Sequence, residues 1–99
     1  MEMKKIKKAL MQGRVRLTTH AVQSMNKRGY TKSDVISCIM SGEKTEVQAY
    51  QRKVRVVIEG FDIDNKPIAV VIGRDPLHTN GYALVTVMPP IAEKFKRVI

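Results

Sequence analysis

The sequence has one cysteine, no tryptophan and no long hydrophobic run, and each scarcity excludes a class of protein. Cys38 alone cannot form an internal disulfide, and with only two histidines a structural zinc site is not expected. The longest apolar run, residues 68–72, is far shorter than the roughly 20 residues that span a membrane. No apolar stretch with a small-residue cleavage site follows the basic N-terminus, so no secretory signal is predicted. We expect a small, soluble, cytoplasmic protein without a metal or other cofactor.

Positive charge is what the chain has in excess. Eighteen Lys and Arg side chains against nine Asp and Glu give a net charge of +9. The excess falls on residues 1–33, whose only acidic side chain is Glu2. A basic segment of this kind is typical of proteins that bind phosphates or carboxylates, although it can also be a plain solvated surface. We therefore predict RNA as the partner, with Arg14 and Arg16 among the contacting side chains. A membrane partner is not expected, because residues 1–12 lack Trp and Phe.

The spacing of apolar residues changes near residue 43 from a helical period to alternation or continuous runs. Before it, the spacing predicts a basic helix within residues 1–12, a helix capped by Thr18 or Thr19 and ended by Gly29, and a helix opened by a Thr31–Asp34 capping box. Residues 14–17 are predicted to be a connector.

After residue 43, the pattern predicts four strands near residues 46–50, 54–59, 68–72 and 82–88, and a short helix at 91–98. We therefore expect one domain over residues 1–99, of the α+β class, in which two or three N-terminal helices cover one face of a four-stranded antiparallel sheet.

Of the two histidines, only His20 lies where chemistry is expected. The dipole at the start of the predicted second helix favours a neutral imidazole that can accept a proton. On a helix His20 shares a side with Ser24, Lys27 and Arg28. A proton acceptor beside two cations suits in-line attack on a phosphodiester, whereas the alternative is that His20 only helps to cap the helix. His78 is predicted to be an exposed turn residue.

Two strand residues are further candidates. Arg55 alternates with the apolar side chains of its strand and leaves the core face, so it is either a phosphate ligand or an ordinary exposed arginine. Thr86 interrupts an apolar strand and is predicted to share a face with Tyr82, Leu84 and Met88. A hydroxyl there needs a hydrogen-bond partner or a substrate, although threonine is also a good strand former.

These residues occur in an order that resembles a family of small bacterial proteins, the domain of unknown function 4258. The resemblance lies in three strings, Thr19-His20-Ala21, Arg28-Gly29-Tyr30-Thr31 and Asp34-Val35, with Met25 between the first two. In the family a His-Ala pair opens a helix, an Arg-Gly step closes it, and a Ser/Thr-capped helix follows. The strand with Arg55 and the last strand with Thr86 also fit, so the resemblance covers about residues 15–90.

The resemblance implies a RelE/barnase/colicin-type fold and a metal-independent ribonuclease, of the kind found as toxins with antitoxin partners. The implied site has His20 as general acid/base, Arg55 and Arg28 on the phosphate, and Thr86 as a hydrogen-bonding group. The family often has an arginine one helical turn after the histidine, where this chain has Ser24. That departure supports a second interpretation, a non-catalytic RNA- or protein-binding module with the same fold. A homo-oligomer, paired through residues 45–50 or 2–12, is a third.

Overall fold

The computed structural model describes residues 1–90, which form three helices and a five-stranded mixed sheet. The helices are α1 (Met3–Met11), α2 (Thr19–Arg28) and α3 (Lys32–Ser41). The strands are β1 (Val15–Leu17), β2 (Glu43–Tyr50), β3 (Lys53–Phe61), β4 (Pro67–Arg74) and β5 (Tyr82–Met88), in the spatial order β1-β5-β4-β3-β2. The predicted α+β class is confirmed.

The ends of α2 and α3 are set by local hydrogen bonds. The Thr18 hydroxyl accepts from the Ala21 amide at 3.1 Å, and Gly29 ends α2 in the left-handed conformation with φ 75°. The Asp34 amide donates to Thr31 Oγ1 at 3.2 Å and the Thr31 amide donates to Asp34 Oδ2 at 2.8 Å, which completes the capping box. These bonds satisfy amides that lack partners within the helix, and the predicted caps are confirmed.

The three helices pack on one face of the sheet, here called the helix face. Its buried cluster combines residues of every helix and of the three central strands. Cys38 is fully buried in it, and burial raises the pKa of its thiol to about 12, so its predicted role as a small buried hydrophobe is confirmed. The opposite face, here called the far face, carries a smaller cluster of Val57, Ala69 and Val71.

The sheet differs from the predicted four-stranded antiparallel sheet by one strand. Residues of β1 pair in parallel with the first half of β5, where Arg16 lies beside Ala83. A three-residue segment is too short to display an alternating pattern, and its partner strand comes much later in the chain, so residues 14–17 have the sequence features of a connector. The predicted helix at 91–98 lies outside the described residues. Within residues 1–90, the helices are all too short to cross a membrane.

A β-bulge reverses the predicted orientation of Thr86. Leu84 lies opposite Ile72 on the helix face, but Thr86 lies opposite Val71, which belongs to the far face. One extra residue of β5 is accommodated between these two pairs, and this shifts the alternation by one position. The prediction that Thr86 shares a face with Tyr82 and Leu84 is therefore wrong.

Candidate functional site

Charged side chains are segregated along the strands. In the β2–β3 hairpin, Glu43 lies opposite Glu59 at one end, and Lys53 belongs to the pair at the other end. Because β4 runs antiparallel to β3 and β5 to β4, the last residue of β4, Arg74, and the first of β5 lie at the same end as Lys53. The result is a cationic end of the sheet, formed by Arg16, Arg52, Lys53, Arg55 and Arg74.

A cleft of about 710 Å³ opens at this cationic end and is lined by all five of those side chains. Its floor is a row of neighbours across four strands, in which Arg55 pairs with Gly73, Gly73 with Ala83, and Ala83 with Arg16. A Cβ atom built on Gly73 would lie 3.4 Å from Arg55 Cγ, so the stem of that arginine covers the glycine. The small residues in the middle of the row leave space between the two arginines.

Arg16 is held in place by a buried carboxylate. Its Nε and Nη2 donate to Asp75 Oδ2 and Oδ1 at 3.0 and 3.1 Å, and the Asp75 side chain is only 2% exposed. The hydrogen bond from Arg16 and a further one from the Leu77 amide hold the pKa of Asp75 well below its usual range. The same hydrogen bond from Arg16 to Asp75 raises the pKa of Arg16. Asp75 therefore remains an anion and fixes Arg16 through a bidentate pair.

His20 lines the same cleft from the first turn of α2. The Thr18 hydroxyl, which also donates to the Leu84 carbonyl at 2.8 Å, caps the helix and ties its start to β5. The capping role considered for His20 thus belongs to Thr18. His20 is exposed, so its ring is accessible to a molecule bound in the cleft.

His78 was predicted only as an exposed turn residue, but in the structure it also contacts Asp75. Its ring is 68% exposed, as predicted, but Nδ1 lies 3.0 Å from Asp75 Oδ2. The sequence signal is the Asp75-x-x-His78 spacing in a loop, which by itself is too common to be specific. The structure adds that the aspartate is buried and bound to Arg16.

Four of the predicted site residues do not line the cleft. Arg28 is the last residue of α2, eight positions after His20, which places it about 12 Å further along the helix axis. Lys27 precedes it and lies almost as far away. Arg14 donates to Gln12 and to the Asn80 carbonyl. Thr86 follows the bulge along β5, opposite Val71.

Ser24 has a structural role in this chain. Its hydroxyl accepts from the Val87 amide at 3.2 Å and donates to the Ala21 carbonyl at 2.9 Å. β1 covers only the first three residues of β5, so α2 serves as the partner of β5 beyond that point. Position 24 therefore supports the sheet edge and is not part of the cleft lining.

Three cationic residues of the cleft were not predicted from the sequence, namely Arg52, Lys53 and Arg74. Arg52 lies in the β2–β3 turn, where it and Gln51 adopt positive φ values of 65° and 49°. Two consecutive positive φ angles are typical of a tight hairpin turn that favours Asn and Gly, so the Gln-Arg pair carries no recognisable signal. Within residues 1–90, no group of three His, Cys, Asp or Glu side chains is arranged to hold a metal ion.

Comparison with known proteins identifies a family for the chain. No curated protein and no solved structure matches it. The family model described as "Domain of unknown function (DUF4258)" matches residues 17–89, a span that includes His20, Ser24 and Arg55 and leaves out α1. Since this match covers well over half of the 99 residues, the chain belongs to the DUF4258 family, as the resemblance predicted.

Proposed function

We propose that the cleft binds RNA and that the protein is a metal-independent ribonuclease of the toxin–antitoxin type. The observation that carries the proposal is that His20, Arg16 and Arg55 line one cleft. An imidazole that moves a proton and guanidinium groups that bind a phosphate are the two components that such cleavage needs. The remote likeness to RelE/barnase/colicin-type ribonucleases is part of the proposal, and the order of α2 and α3 before the antiparallel strands β2 to β5 is compatible with it.

In the proposed reaction the phosphate of the scissile linkage lies in the cleft between Arg55 and Arg16. His20 takes the proton of the adjacent 2′-hydroxyl, and the 2′-oxygen attacks phosphorus. The bond from phosphorus to the 5′-oxygen breaks and this oxygen takes up a proton, which leaves a 2′,3′-cyclic phosphate and a 5′-hydroxyl. The guanidinium groups stabilise the negative charge that develops on the phosphoryl oxygens in the transition state.

The test is cleavage of a labelled single-stranded RNA by purified protein in the presence of a chelator. We expect His20→Ala to lower the rate about 10²- to 10⁴-fold, the usual contribution of a positioned acid or base. Arg55→Ala is expected to lower it about 10- to 100-fold, since a hydrogen bond to a charged group contributes about 1.5–3 kcal/mol. Arg28→Ala is the matched control, because it removes the same charge outside the cleft. Equal cleavage by the wild type and His20→Ala would overturn the assignment.

A non-catalytic RNA-binding module is the second candidate function. Two observations favour it: Ser24 replaces an arginine common in the family and binds the sheet edge instead, and His20 is the only histidine among the lining residues described. The result that selects this candidate is RNA binding that depends on Arg55 together with no cleavage by the wild type. Binding to an acidic protein instead of RNA would depend much less on salt, because counterion release from phosphates is absent.

A further inference from the structure

A second imidazole, that of His78, contacts the carboxylate of Asp75, which lines the cleft. His78 Nδ1 and Arg16 Nε both contact Asp75 Oδ2 at 3.0 Å, so ring and guanidinium lie side by side. Arg16 and Asp75 line the cleft, and His78, which is not among the lining residues, contacts Asp75 from the loop between β4 and β5. In the proposed reaction His20 takes one proton, and the proton that the leaving 5′-oxygen needs has no donor assigned.

The environment of Asp75 defines which nitrogen of His78 can exchange protons. Asp75 Oδ1 accepts from Arg16 Nη2 at 3.1 Å and from the Leu77 amide at 2.9 Å. An ionised carboxylate can only accept hydrogen bonds, so Nδ1 of His78 must carry a hydrogen and donate it to Oδ2. Nε2 is therefore the site of proton exchange, and the ring is 68% exposed. A buried carboxylate that orients an exposed imidazole is an arrangement suited to proton transfer.

We infer that His78, oriented by Asp75, donates the proton to the leaving 5′-oxygen, an inference that depends on the proposed function. In the balanced step, the 2′-hydroxyl proton passes to His20 and the bond from the 2′-oxygen to phosphorus forms. The bond from phosphorus to the 5′-oxygen breaks, and the Nε2 proton of His78 passes to that oxygen. Both rings are exposed, so exchange with water restores their starting protonation without another reactant.

The experiment compares two substrates that differ in their need for an acid. A diribonucleotide has an alkoxide leaving group that must be protonated, whereas uridine 3′-(4-nitrophenyl phosphate) releases a stable nitrophenolate. We expect His78→Gln to slow the diribonucleotide about 10²- to 10⁴-fold and the nitrophenyl ester less than about threefold. His20→Ala should slow both substrates, because each requires removal of the 2′-hydroxyl proton. Thr79→Ala, at an exposed position in the same loop, is the control and should change neither rate.

Each other outcome has a defined meaning. If His78→Gln slows both substrates equally, His78 is not the proton donor. If it slows neither while His20→Ala slows both, the inference fails and the proposed function stands. If the wild type cleaves neither substrate, both fail. Thermal unfolding of His78→Gln and of a second variant, His78→Ala, verifies that each is folded, and both must show the same dependence on the leaving group.

Discussion

Arg55→Ala compared with Arg28→Ala tests whether RNA binds in the cleft or merely to a basic protein. Each substitution removes one guanidinium from a protein of net charge +9. Arg55 lies on the cleft floor beside Gly73, whereas Arg28 is the exposed last residue of α2. If RNA affinity depends only on total charge, the two variants must lose the same amount of it. If RNA binds in the cleft, Arg55→Ala must lose more affinity than Arg28→Ala.

The magnitude follows from the charges that line the cleft. Four of the five cations have no carboxylate partner within residues 1–90, while Arg16 is paired with Asp75. If each unpaired cation contacts one phosphate, a slope of about −0.7 per phosphate gives about −3 for log affinity against log salt with single-stranded RNA. Arg55→Ala should reduce the slope to about −2. It should also weaken binding about 10- to 100-fold, since its charged hydrogen bonds contribute about 1.5–3 kcal/mol.

The assay is fluorescence anisotropy of a labelled single-stranded RNA, titrated with protein at several salt concentrations between about 50 and 200 mM. A deoxynucleotide at the scissile position, which lacks the attacking 2′-hydroxyl, prevents cleavage during the titration. Arg28→Ala should keep the slope of the wild type and its affinity within about twofold. Equal losses of affinity and slope in the two variants would refute the reasoning that places RNA in the cleft.

Three further predictions concern stability. Ser24→Ala leaves the buried Val87 amide without its acceptor and should cost about 1–3 kcal/mol of unfolding free energy, measured by urea denaturation. Gly60→Ala places a Cβ atom too close to the Cys38 carbonyl oxygen and should lower the unfolding free energy by about 1–3 kcal/mol. At Gly73 the atom nearest to an added Cβ is 3.4 Å away, so Gly73→Ala should change the unfolding free energy by less than about 1 kcal/mol. The pKa of Asp75 is lower in the folded state than in the unfolded chain, so its stabilising contribution is present above about pH 4 and is lost as the pH falls further. The difference in unfolding free energy between the wild type and Asp75→Asn, measured by denaturation at a series of pH values, should therefore narrow below that pH.

Elements with a repeating local pattern were predictable from the sequence. The apolar stripes of α1, α2 and α3 recur at helical spacing, and the caps at Thr18 and Thr31 lie within three residues of their partners. β3 alternates and β4 is apolar on both faces, because it is a central strand with β3 and β5 on either side. In each case the information is contained in a few adjacent residues.

The features that sequence reasoning missed depend on contacts between distant residues. β1 is a strand only because residues 82–84 lie beside it. The side of Thr86 depends on a bulge that exists only in the pairing of β5 with β4, and a period-of-two argument carried past it is wrong at every later position. The partnership of Asp75 with Arg16 joins residues from opposite halves of the chain. None of these contacts has a local sequence signal.

The location of the cationic surface shows why segment charge is a poor guide to a binding site in an antiparallel sheet. Residues 34–99 are almost neutral in sum, yet they supply four of the five cations that line the cleft. In β3 the basic residues Lys53 and Arg55 precede Glu59. β2 and β4 run the opposite way, so Glu43 lies beside Glu59 at one end and Arg74 beside the basic residues at the other. The hairpins therefore place acidic and basic residues, whose charges sum to almost zero along the sequence, at opposite ends of the sheet. Attraction of a polyanion depends on the local density of cations at one end and not on the summed charge of the segment.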